Sequence, residues 1–254
     1  MAALSDEGII LRKYPLRETS FILVAYTREH GKIKGVIKGA RNPAPQFAGS
    51  LELFTRCGML FYKKRKSAMD LITQCDALET FLPARKEIER LTYANYFIEL
   101  IDVVTSDNDP NDRLYRVLLQ SLRMLGTEAS PRRTGRIFEI KLLGEIGLSP
   151  QLDECAECGK EVSGDISFSA KSGGIVCASC GGRASGLSKV SRGTVNFLRK
   201  IKDLDMDKTS RIKVSKDVGR ETEKVLGDFM LYHIARPVKS ARFLKGLKRA
   251  GMVQ

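Results

Sequence analysis

The 254-residue sequence has no tryptophan and only two histidines, His30 and His233. That leaves little for acid–base catalysis near neutral pH. His233 falls on the apolar stripe of a helical segment and reads as a satisfied core residue rather than a ligand. Long apolar runs are missing as well. The longest, Phe21-Ile22-Leu23-Val24-Ala25-Tyr26, is far shorter than the roughly 20 residues a membrane-spanning helix needs. The first residues, MAALSDEG, carry acids where a leader would carry bases and an apolar stretch. The expectation is a cytosolic chain without a leader. Walker A, GxSxG and HExxH patterns are absent. Gly173-Gly174 reads as a hairpin turn rather than a phosphate cradle, and the acids are scattered rather than paired. No enzymatic activity is expected.

Acids are in deficit. Lys and Arg number 43 against 30 Asp and Glu, a formal charge of +13. The excess is uneven: +5 over residues 1–80, 0 over 81–150, −2 over 151–184 and +10 over 185–254. Two basic ends attract a polyanion, and nucleic acid is the commonest large one in a cytosol. A solvated basic surface kept for solubility is the plainer alternative.

What is present changes texture near residue 80. Segments 8–14, 20–27, 31–40, 51–62 and 70–77 are rich in Ile, Val, Phe and Tyr and are split by turn residues. Five short strands in one small domain predict a closed OB-fold or similar barrel. In the third, alternation puts Lys32, Lys34 and Lys38 on one face and Ile33 and Ile37 on the core side. Arg41 extends the cationic line into the next loop. That face reads equally as solvated surface or phosphate contact. The run Lys63-Lys64-Arg65-Lys66 is a second basic feature, either a soluble hairpin tip or a phosphate contact. Tyr62 beside it is either a base-stacking ring or a plain strand residue.

From residue 84 the period becomes helical. Ile88, Leu91, Phe97, Leu100, Ile101 and Val104 mark one stripe. Asp109-Pro110 predicts an N-cap with proline at the first helical position, for a helix ending at Gly126. Further helices are expected over 133–146, 190–201 and 218–235. The tail carries Lys239, Arg242, Lys245, Lys248 and Arg249, a basic amphipathic piece that could bind phosphates or cap the helices.

Four of six cysteines form two CxxC pairs, Cys155/Cys158 and Cys177/Cys180, with 18 residues between. This spacing fits one zinc held by four thiolates. The glycine after each pair lets the backbone turn so that amides can face the sulfurs. A redox dithiol needs only one pair, and disulfides do not suit a cytosolic chain. Four sulfur ligands leave no open position, so the role is structural, one Zn(2+) per chain. Cys57 and Cys75 sit in strand patterns and read as small buried apolar residues.

The chain resembles the RecO family of bacterial recombination mediators. The resemblance rests on GIILRKYPLRETS (8–20), TREHGKIKGVIKGAR (27–41), LELF (51–54), NYFIELI (95–101), FEIKLL (138–143) and GLSP (147–150). It continues through CAECG (155–159), GIVCASC (174–180) and KSARFL (239–244), in family order over nearly the whole chain. It implies an α+β protein: an N-terminal five-stranded OB-fold over 1–80, then a helical domain over 81–150 and 185–254, with a zinc-binding insertion at 151–184. It further implies a DNA repair and recombination role in the RecF pathway. The family binds single- and double-stranded DNA, anneals complementary strands, and works with RecR. It helps recombinase load on strands coated by single-stranded-DNA-binding protein, engaging that protein's C-terminal tail. The nucleic-acid contacts expected here are Lys32, Lys34, Lys38, Arg41, Lys63, Lys64, Arg65, Lys66, Arg242, Lys245, Lys248 and Arg249. The chain departs from the family pattern at Asn42-Pro43-Ala44-Pro45-Gln46-Phe47, where the family usually has more basic residues. Two rival readings remain at the level of sequence: a zinc-ribbon accessory factor of transcription or translation, and a purely structural interaction protein.

Overall fold

The computed structural model describes residues 3–40, 49–63, 69–128, 130–182, 186–209, 212–234 and 236–251. Two compact units emerge: residues 1–131 with 238–254, and residues 132–237.

The first unit opens with five strands, β1 (Ala3–Leu16), β2 (Ser20–Thr27), β3 (Gly31–Ile37), β4 (Arg56–Tyr62) and β5 (Asp70–Glu79). They close into a barrel in the order β1-β2-β3-β5-β4, with β3 and β5 parallel and the other pairs antiparallel. Closure removes exposed sheet edges. β1 is long enough to pair with both β2 and β4, and its register shifts between Ile10 and Arg12. Ile10, Leu23, Ile33, Ile37, Met59, Phe61 and Ile72 fill the interior with Cys57 and Cys75. The fourth strand is shorter than its apolar run. Residues 51–54 form turns, because the Phe54 amide donates to Ile10 O (2.8 Å) and Ile10 N donates to Thr55 O (3.0 Å). Phe54 takes a left-handed φ of 50° there, buried beneath the Arg85 guanidinium.

Helices α1 (Leu82–Lys86), α2 (Ile88–Val104) and α3 (Asp112–Thr127) follow. The expected stripe on α2 is met at Phe97, Leu100 and Ile101, but Leu91 and Val104 are half-buried and Ile88 is exposed. Tyr93, Ala94, Tyr96, Phe97, Ile98, Leu100 and Ile101 are all buried, the signature of a helix covered nearly all round. α3 starts later than expected. Its N-cap is Asn111, whose side-chain oxygen accepts from Leu114 N at 2.9 Å, so Pro110 lies ahead of the helix.

The second unit contains α4 (Pro131–Glu145), β6 (Ile166–Ser169), β7 (Gly174–Cys177), α5 (Ala178–Gly181), β8 (Leu187–Val190), α6 (Arg192–Asp203), α7 (Met206–Thr209) and α8 (Lys216–His233). β7-β6-β8 form a small antiparallel sheet. His233 meets its expected place, half-buried against Phe229 with Nε2 3.0 Å from Ala170 O. The last helix, α9 (Lys239–Arg249), packs on α2 and so belongs to the first unit. Glu99 of α2 ties it down, accepting from Lys239 N, Ser240 N (both 2.8 Å) and Ser240 Oγ (2.5 Å). No described helix is long and apolar enough to cross a membrane.

Candidate metal centre and nucleic-acid interface

Two local devices hold the cysteines. The first pair sits in a turn, where Gly159 N donates to Cys155 O (2.8 Å) and Gly159 adopts φ +69°. Only glycine takes that backbone freely. The second pair ends β7 and enters α5, so Gly181 is helical and the expected turn after it is absent. Ala156 N donates to Ile175 O (2.8 Å), while Gln151 exchanges hydrogen bonds with Gly173 and Ile175 (2.9 Å each). These bonds lace the first pair's segment onto the hairpin bearing the second. At Gly174 a Cβ would stand 2.1 Å from Gln151 O, so the lacing needs glycine there.

The four sulfurs of Cys155, Cys158, Cys177 and Cys180 all lie within 4.8 Å of one another, with Cys158 Sγ and Cys177 Sγ 3.9 Å apart. Sulfurs on a tetrahedron of 2.3 Å bonds stand about 3.8 Å apart. The cluster therefore fits one metal ion. Burial opposes ionisation of Cys155, but the amides of Cys177, Glu157 and Cys158 outweigh it and bring its thiol down to about 6. Hydrogen bonding with the Cys158 and Cys177 sulfurs pushes Cys180 up to about 12. A metal entering such a cluster must displace protons.

The structure splits the predicted cationic face. Lys34 and Lys38 are exposed, but Lys32 is buried at 8%. Its Nζ donates to Asp102 O (2.8 Å) and Thr105 O (2.7 Å) at the end of α2 and stands 3.4 Å from the Asp102 carboxylate. Asn108 N also donates to Lys32 O, at 2.9 Å. Alternation assigned the outward face correctly; the loop following α2 covers that face at Lys32. Lys32 is thus a helix-capping cation and not an exposed phosphate ligand. Lys63 is exposed at the end of β4. Arg41, Lys64, Arg65 and Lys66 lie outside the described residues.

On α9 the cations Arg242, Lys245 and Arg249 are exposed, Lys248 is half-buried, and Leu244 and Leu247 face inward. The tail thus caps the helices with one face and leaves the other face cationic. Among the described residues, Lys34, Lys38, Lys63, Arg242, Lys245 and Arg249 have no acidic partner. The exposed side chains of Lys86, Arg113 and Lys239 likewise show no acidic partner among the described residues, whereas several arginines of this unit are committed. Arg28 and Arg116 pair with Asp112, Arg123 pairs with Glu79 (2.7 Å each), and Arg56 pairs with Glu7. Sequence reasoning missed this network, because the Arg28, Arg56 and Arg123 pairs join residues 44 to 84 positions apart and share no local pattern.

Comparison with known proteins covers both halves of the chain. Residues 1–81 match the family model for the recombination protein O N terminus, and residues 85–242 match that for its C terminus. A protein of Pelotomaculum thermopropionicum named DNA repair protein RecO is 32% identical over 239 residues, 94% of this chain and 92% of that protein. A like-named protein of Symbiobacterium thermophilum is 30% identical over 254 residues, covering 98% of this chain and all of that protein. One of Listeria monocytogenes is 30% identical over 243 residues, 96% of this chain and 94% of its own.

Proposed function

We propose that this chain, which belongs to the RecO family, is a non-enzymatic mediator of DNA repair and homologous recombination in the RecF pathway. The observation that carries this reading is the match to both family models and to full-length relatives named for DNA repair. In this reading it binds single- and double-stranded DNA, anneals complementary strands, and helps recombinase load on strands coated by single-stranded-DNA-binding protein. Its partners would be RecR and the C-terminal tail of the coating protein, and its place the cytoplasm, on the nucleoid.

The physical requirements are modest. Annealing needs no bond chemistry; it needs two phosphate backbones neutralised and held close together. The barrel supports one such contact through exposed Lys34 and Lys38, and the outer face of α9 supports another through Arg242, Lys245 and Arg249. The four thiolates would hold one Zn(2+), closed to water and substrate, which stabilises the insertion rather than touching DNA.

The test is annealing of complementary oligonucleotides, bare and then coated with the single-stranded-DNA-binding protein. Acceleration in both conditions, with no sequence preference, is the expected result. A chain that binds no DNA at moderate salt, or that fails to accelerate annealing of bare strands, would overturn the reading.

A further inference from the structure

Of the four clustered sulfur ligands, Cys155 is buried, Cys177 and Cys180 are half-buried, and Cys158 is exposed. Cys158 occupies the turn that Gly159 closes at φ +69°, and a Cβ on Gly159 would meet nothing within 4 Å. A small solute can therefore reach Cys158 from solvent. Its neighbour across the cluster is Cys177 Sγ, 3.9 Å away at the end of β7. A disulfide needs about 2.05 Å, a closure that side-chain rotation beside an open turn supplies. The remaining two cysteines lie apart from this chemistry. Cys57 and Cys75 are buried in the barrel interior, where Cys57 Sγ donates to Ser50 O at 3.0 Å.

Four thiolates leave a bound metal no open position, yet they do not shield a ligand sulfur that itself faces solvent. Oxidation of sulfur follows thiolate character and access, and the two meet at Cys158. Its neighbour also belongs to the other half of the clamp: Cys158 comes from the turn and Cys177 from the hairpin.

We propose that Cys158 and Cys177 are a site of oxidative modification by hydroperoxide, through which the oxidant ejects the metal and loosens the hairpin of the second unit. This rests on the four-thiolate zinc reading above and goes beyond it. The Cys158 thiolate attacks hydrogen peroxide, breaking the O–O bond to form a sulfenic acid and release hydroxide. The Cys177 thiolate then attacks that sulfur and releases a second hydroxide. Two thiolates are oxidised by two electrons to one disulfide, and the peroxide is reduced to two hydroxides, which take up protons as water. Zn(2+) leaves with its charge unchanged, because Cys155 and Cys180 alone do not close a tetrahedron. The barrel supplies no ligand, so its fold is untouched.

The test treats the full zinc-loaded chain with hydrogen peroxide while a chromogenic chelator reports free zinc. One zinc per chain should appear as two of the six thiols, counted in denaturant, are lost. Trypsin cuts after Lys160 and Lys171, so in a non-reduced digest a Cys158–Cys177 bond joins two peptides, whereas a bond within either CxxC pair does not. Dithiothreitol with added zinc should restore the metal. Cys158→His keeps a zinc ligand that cannot form a disulfide, and it should hold its metal through the same treatment. The peptide map of wild type decides the matter even if that variant fails to fold. Zinc that stays bound in oxidised wild type, a disulfide that omits Cys158 or Cys177, or equal release from Cys158→His overturns the switch and leaves the zinc reading intact. A purified chain that holds no zinc overturns both.

Discussion

The Nζ of Lys32 donates to the Thr105 carbonyl oxygen at 2.7 Å and to that of Asp102 at 2.8 Å, so a lysine from a barrel strand caps the C-terminus of α2. The second unit repeats the device. Lys141 of α4 donates to Lys202 O (2.8 Å) and Leu204 O at the end of α6. In both, a cation satisfies carbonyls that the last helical turn leaves orphaned and meets the negative end of the helix dipole. Burial pulls the Lys141 ammonium below its ordinary value, which marks it too as structural rather than a free surface charge.

Lys32→Met should therefore cost stability and not DNA affinity. The Asp102 and Thr105 carbonyls each lose a charge-assisted hydrogen bond, which costs on the order of 2–3 kcal/mol, while the Asp102 carboxylate keeps Arg12. Urea denaturation should show a lower midpoint, and the salt dependence of DNA binding should not move. An unchanged midpoint with a weaker salt dependence would return Lys32 to the phosphate surface.

Lys34→Ala with Lys38→Ala should do the reverse. On single strands the log–log salt slope should shrink by about 0.7 for each phosphate no longer neutralised. The melting temperature should hold, since exposed substitutions cost within about 0.5 kcal/mol. The same titration with Arg242, Lys245 and Arg249 replaced by alanine apportions the binding between barrel and α9. A slope that only the α9 variant reduces would make the strand lysines bystanders.

Metal analysis of the purified chain should find one zinc, and Cys158→Ser should lose it. The second unit should melt earlier in that variant, while the barrel, which contributes no ligand, keeps its transition. Full zinc content in Cys158→Ser would rule out the four-thiolate site.

Glycines give a paired test of packing. Gly174→Ala drives a Cβ to 2.1 Å from Gln151 O and should destabilise the metal-bearing hairpin by about 1–3 kcal/mol. Gly227→Ala, within α8 and facing open space, should stabilise by about 0.5–1 kcal/mol. Thermal melts that place both on the same side of wild type would contradict this account.

Docking of α9 should weaken in acid. Burial opposes the charge on Glu99, but the Ser240 hydroxyl and the Ser240 and Lys239 amides outweigh it and hold its carboxyl below the ordinary value. A depressed folded value contributes stability that is fully present above the unfolded value of about 4.3 and is lost as pH falls through the folded one. Amide exchange over 239–249 should accelerate in that window. Glu99→Gln should show weaker protection at neutral pH and a flatter acid response. Identical pH profiles for the two proteins would exclude Glu99 as the tether.

Where a signal is local, it was readable without a fold. The strand over 20–27 coincides with β2, and the five strands predicted a barrel that closes as an OB-like sheet. CxxC spacing identified four sulfurs that converge, because each pair needs only one turn of chain to reach a common centre. Alternation told which way Lys32, Lys34 and Lys38 point. It could not tell that the loop after α2 lies over the first and leaves the other two open, since that depends on packing 70 residues away. The tail's cations were legible as an amphipathic pattern, yet its attachment to the first unit rests on Glu99, some 140 residues earlier. Sequence by itself determined periods, turns and ligand spacing, all of which act over a few residues. Tertiary structure alone decided which charges are spent inside and which face solvent, because burial and pairing depend on residues that only folding brings together.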